Sequence, residues 1–204
     1  MPSETARSSM TLSRLLFACL GLVLAPIAWA HTGGGEAGGF IAGFSHPLFG
    51  YDHLLAMLAV GIWGAFLGAP AIWVLPVAFP LVMAVGAVFG IAGVPLPGVE
   101  WGIALSVIAL GAAILMAARP PIAAAAALVA AFAIFHGYAH GQELPGGASP
   151  VAFAAGFVLA TGSIHVAGIA IGLLVRVPYG TAILRTGGAL IALAGCYFGM
   201  QLIA

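Results

Sequence analysis

Residues 121–143 read PIAAAAALVAAFAIFHGYAHGQE. A helix that crosses a bilayer needs about 20 apolar residues, and nothing charged interrupts the stretch from Ile122 to Phe135. The far end of the same run carries His136, His140 and Glu143. Their spacing of i, i+4 and i+7 puts all three on one stripe of a helix. Ionisable groups in hydrocarbon are costly, and those that persist face a bundle interior, a cavity or a pathway. The segment therefore predicts a membrane helix that delivers two imidazoles and a carboxylate to one place.

The rest of the chain extends that reading. Of its 204 residues 63% are hydrophobic and only 5% charged, against roughly 25% charged in soluble domains, and the mean hydropathy is +1.21. The expected fold is an all-α integral membrane protein. Glycines, prolines and the rare charges divide it into six spanning segments, near residues 47–67, 71–92, 100–118, 121–142, 150–175 and 182–203. Turns fall at Gly68-Ala69-Pro70, Gly93 to Gly98, Arg119-Pro120-Pro121, Leu144 to Pro150 and Pro178-Tyr179-Gly180, all too short to hold a soluble domain. Gly86, Gly90, Gly111, Gly162, Gly168, Gly172, Gly187 and Gly188 read as small faces that let helices approach closely in lipid.

Five arginines balance five acids and there is no lysine. No basic surface exists to hold nucleic acid or anionic lipid. Cys19 and Cys196 are the only cysteines, and Cys19 lies in a leader, so no intramolecular disulfide is expected.

Arg7 and Arg14, the apolar run Leu15 to Pro26, and Ala28-Trp29-Ala30 follow the charge, core and small-x-small order of a signal peptide. The expected organisation is a signal peptide over 1–30 and a single polytopic transmembrane domain over 31–204, with His31 as the new N-terminus. That terminus lies outside the cell, so helices one, three and five run inward. Arg119, Arg176 and Arg185 then lie in cytoplasmic loops, in agreement with the positive-inside rule, while Glu36, Glu100 and Glu143 lie on the outer side. The expected location is the inner (cytoplasmic) membrane of a bacterium, with the lipid bilayer as a partner.

A second cluster precedes the first spanning segment: His46-Pro47-Leu48-Phe49-Gly50-Tyr51-Asp52-His53. Proline suits a first helical position, which makes His46 a cap-like residue at the outer end of helix one. His46 and His53 are one heptad apart and share a face if the turn is helical throughout. Asp52 is either a ligand from an adjoining face or the acceptor that orients an imidazole. His165, mid-way along the fifth segment, suggests a path inward. Imidazoles with a few carboxylates suit Ni, Zn, Cu or Co better than Mg or Ca.

These motifs resemble the HupE/UreJ family, hydrogenase and urease accessory membrane proteins regarded as nickel permeases. The resemblance rests on His46-Pro47 with Gly50-x-Asp52-His53 and Ala56-Met57, on Phe135-His136-Gly137-x-Ala139-His140-Gly141-x-Glu143, and on Ala160-Thr161-Gly162 with His165 and Gly168. It implies a signal sequence, about six spans and uptake of Ni2+, with His46, Asp52 and His53 needed for transport. It also implies nickel-enzyme maturation proteins as partners. Five residues separate His46 from Asp52, which departs from the His-x4-Asp-His signature of the broader nickel and cobalt transporters.

The expected function is uptake of Ni2+, with Co2+ or another divalent transition metal open on donor type, as transported substrate and with no organic cofactor. The metal-binding set is His46, Asp52, His53, His136, His140, Glu143 and His165. The competing reading is an intramembrane zinc hydrolase in which histidines, Asp52 and Ser163 surround a metal-activated water.

Overall fold

A computed structural model describes residues 36–144 and 146–204. The signal peptide expected over 1–30 and His31 lie outside the described residues. All regular structure among the described residues is helical: α1 (Glu36–Phe49), α2 (Tyr51–Leu67), α3 (Ala71–Ile91), α4 (Val99–Leu115), α5 (Ile122–Gln142), α6 (Pro150–Gly172) and α7 (Gly180–Gln201), with a single 3-10 turn, Leu173–Arg176, after α6.

Four helices, α3, α5, α6 with its 3-10 extension, and α7, are long and apolar enough to cross a membrane, and α1 with α2 makes a fifth if the bent pair counts as one span. The apolar helix α4 has 17 residues, below the usual length of about 20. Among the described residues the helix breaks fall at the expected turns, and Ser149 caps α6 by accepting from the Ala152 amide at 3.4 Å, with Pro150 at its first position.

The first segment departs from expectation. Pro47 does not open a helix; it lies inside α1, and His46 is in the last turn of that helix. The break comes at Gly50, whose extended backbone (φ −81, ψ 95) serves as N-cap of α2. The two helices are bent by 79°. His46 and His53 therefore lie on two helices rather than on one face of a continuous one. The Asp52 carboxylate accepts from the His53 amide at 2.8 Å, taking up one of the amide donors that a helix start leaves without an intrahelical partner.

α2 is the centre of the bundle. It packs on α3, α4 and α6, and His53, Met57, Val60 and Trp63 on it are all buried. Around it α3 lies along α5, α4 along α7 and α1 along α6. Glycines permit these seams: a Cβ on Gly137 would run into the Met83 carbonyl, and one on Gly61 into the His165 carbonyl. Six of the eight glycines expected at seams are there, whereas Gly162 and Gly187 face open space.

Among the described residues, Arg119 and Arg185 lie at one end. Arg185 donates to the Leu115 carbonyl at 2.7 Å, and Arg119 lies 5.3 Å over the Phe66 ring. The Trp63 indole closes the same end by donating to the Ala118 carbonyl at 3.1 Å. Glu143 and Glu100, which starts α4 beside Gln142, lie at the opposite end.

Candidate metal site

α5 supplies the stripe anticipated from its spacing. His136 and His140 are buried, and Glu143 follows as the C-cap. Glu143 Oε2 lies 2.8 Å from His46 Nε2 and 3.5 Å from His140 Nδ1. The first is a hydrogen bond and the second is too long for one. One atom each from His46, His140 and Glu143 can be chosen so that all lie within 4.8 Å of one another, close enough for small side-chain shifts to close them around one ion. The His140 and His46 imidazoles hold the Glu143 carboxyl well below the usual carboxylate range, so it is ionised and competent to attract a cation.

Further along α5 the histidines of two motifs merge. The His53 ring lies 4.6 Å, centroid to centroid, from His136 and 4.3 Å from His140, and His46 lies 4.8 Å from His140. His140 thus belongs both to the half-exposed group with Glu143 and to a buried group with His53 and His136. Asp52 Oδ1 is 2.8 Å from His53 Nδ1. A carboxylate only accepts, so Nδ1 carries the hydrogen, and the lone pair of the neutral ring is on Nε2. His53 Nε2, His136 Nδ1 and both nitrogens of His140 are buried and have no hydrogen-bond partner among the described residues. Buried polar atoms ordinarily find partners, and imidazole nitrogens without one are donors of the kind that suit a divalent transition metal.

His165 is set apart. Its backbone abuts Gly61, two turns beyond His53 on α2, or about 12 Å deeper at 1.5 Å per residue. Its ring is buried, with both nitrogens unpartnered among the described residues. Between the two levels lies Phe79 of α3, whose ring centroid is 5.4 Å from His136 and 5.6 Å from His165. Contacts link His46, Asp52, His53, His136, His140 and Glu143 to one another, whereas His165 touches this group only by way of Phe79.

Two neighbours escaped the sequence reading. Phe79 is one apolar residue among many and gave no signal. Ser106 of α4 is fully buried and lies 2.8 Å from His136 Nε2; as the single hydroxyl of its helix it could have been noticed. Ser163, invoked for a hydrolase, is exposed and donates to the Leu159 carbonyl at 2.8 Å, away from the histidines.

A family model described as HupE / UreJ protein matches residues 18–198. The chain is 43% identical over 186 residues to Protein HupE of Rhizobium leguminosarum bv. viciae, covering 91% of this chain and 97% of that one. No solved structure matches.

Proposed function

The chain belongs to the HupE/UreJ family, and on that premise we propose that it carries Ni2+ inward across the inner membrane of a bacterium to supply nickel enzymes such as hydrogenase or urease. The family consists of accessory transport proteins, so the hydrolase reading falls away.

The observation that carries the reading is the shared position of His140, in ring contact with both His46 at the half-exposed mouth and His53 in the buried cluster. An ion attracted by ionised Glu143 exchanges water for His46 and His140 first. It then exchanges Glu143 and His46 for His53 and His136, with His140 as the common ligand. Passage needs binding at several sites weak enough to release, which suits a ladder of partly shared donors better than one closed cage. His165, beyond Phe79, is the next donor inward. Asp52 acts through His53 rather than as a ligand.

The orientation follows from Arg119 and Arg185, which lie at the end opposite Glu143 and belong on the cytoplasmic side. In this reading residues 1–30 are a cleaved signal peptide, residues 31–204 form one transmembrane domain, α1 and α2 form one bent span, and α4 completes a set of six. No nucleotide-binding motif is present, and the membrane potential favours inward movement of a divalent cation by about 4.6 kcal/mol per 100 mV, twice the single-charge value.

Uptake of radiolabelled Ni2+ and Co2+ into proteoliposomes, with and without an imposed inside-negative potential, tests the proposal. Ni2+ accumulation that rises with the potential and vanishes in His53→Ala supports it. Equal accumulation by wild type and His53→Ala at equal protein levels sinks it.

A further inference from the structure

Ser106 lies outside the set of residues that read as ligands, yet it makes the one hydrogen bond of the His136 ring. Its Oγ is 2.6 Å from the Ile103 carbonyl on its own helix and 2.8 Å from His136 Nε2. A hydroxyl has one hydrogen, and a carbonyl oxygen can only accept. The hydrogen of Ser106 therefore goes to Ile103, and toward His136 the same oxygen presents a lone pair. The neutral ring must then carry its own hydrogen on Nε2, which leaves the lone pair on Nδ1. Nδ1 is the buried, unpartnered nitrogen, on a ring in edge contact with His53 at 4.6 Å.

We propose that Ser106 is a positioning residue for metal capture: relayed from the Ile103 carbonyl, its hydroxyl holds His136 as the Nε2–H tautomer so that Nδ1 is the nitrogen offered to the ion. The proposal rests on the metal-transport reading for its purpose but not for its geometry. The arrangement complements that at His53, where Asp52 takes the Nδ1 hydrogen and leaves Nε2 bare. The two rings are locked in opposite tautomers by partners on different helices, so both lone pairs are set before an ion arrives. A metal-bound imidazole commonly donates its other N–H to such a partner, and removing the partner typically weakens metal binding 10–100-fold.

The test is nitrogen NMR of the full-length protein, metal-free, in lipid bilayers, with 15N-labelled histidine rings and at a pH where the ring is neutral. The His136 signals are assigned by their loss in His136→Asn. In wild type, Nε2 of His136 is expected to be the protonated nitrogen and Nδ1 the bare one. Ser106→Ala mixes or reverses the two, and Ser106→Thr, which keeps a hydroxyl, restores the wild-type pattern. Equilibrium dialysis with Ni2+ should show affinity weakened about 10–100-fold in Ser106→Ala and close to wild type in Ser106→Thr.

A hydrogen on Nδ1 in wild type, or an unchanged tautomer in Ser106→Ala, overturns the proposal, as does unchanged Ni2+ affinity in that variant. Should Ser106→Ala fail to assemble, the wild-type and Ser106→Thr spectra decide the tautomer. Wild-type protein with the expected tautomer and Ni2+ affinity but no uptake would overturn the transport reading alone.

Discussion

His46 Nε2 and Glu143 Oε2 meet at 2.8 Å although 97 residues separate them in the chain. The contact joins the end of α1 to the end of α5, at the rim of the proposed metal path. Its carboxylate is about half exposed, so its worth lies in attracting a cation rather than in stability.

Glu143→Gln should therefore leave folding nearly intact and weaken capture. Ni2+ uptake kinetics in proteoliposomes are expected to show KM raised about tenfold or more, as for loss of one charged partner worth roughly 1.4 kcal/mol or more, with the melting temperature almost unchanged. A lower Tm with unchanged KM would make the pair a structural strut.

Asp52 touches His53 through both the ring and the backbone amide. Asp52→Ala should weaken Ni2+ binding about 10–100-fold, the usual effect of losing an orienting partner. Asp52→Asn, whose amide oxygen can still accept from Nδ1, should recover part of that loss. Identical loss in the two variants, measured by equilibrium dialysis, would make Asp52 a direct ligand.

Phe79 is fully buried and packs on both His136 and His165. Phe79→Ala should cost about 3–5 kcal/mol through the cavity it leaves, seen as a lower Tm in detergent. Phe79→Leu should cost less and still alter the rate of Ni2+ passage, because the ring fills the space between the two histidine levels. A maximal uptake rate unaffected by Phe79→Leu would remove Phe79 from the path.

Gly137 and Gly162 form a matched pair. Gly137→Ala should push α5 off α3 through the Met83 carbonyl, whereas Gly162→Ala meets nothing within 4 Å. The first is expected to cost about 1–3 kcal/mol, as for overpacking, and to reduce uptake because His136 and His140 flank Gly137. The second should match wild type in Tm and uptake, and equal behaviour of the two would refute the seam.

Much of the fold was legible because its signals are local. Apolar length marked the cores of α2 to α7, and Gly and Pro marked the turns to within a few residues. The stripe of His136, His140 and Glu143 needed only helical periodicity. α1 was not legible: Gly38, Gly39 and Gly43 make Glu36–Phe49 a poor helix by propensity. Gly39 and Gly43 fit it against the start of α6, where a Cβ on Gly43 would strike the Phe153 carbonyl.

The bend at Gly50 belongs with these tertiary effects. Pro47 and Gly50 marked an irregularity, but the choice between a helix that begins at Pro47 and one that breaks at Gly50 depends on α6 receiving α1.

The sequence by itself determined a helical membrane protein, the identity of its donor atoms and the spacing of those on one helix, because chain connectivity and hydrocarbon thickness set these. The tertiary structure alone decided that His46 meets Glu143, that His53 stands against His136 and His140, and that Ser106 holds His136. Such contacts join residues on different helices, and which faces of two apolar helices meet is set by close packing at glycines such as Gly61 and Gly137, about which apolar periodicity is silent.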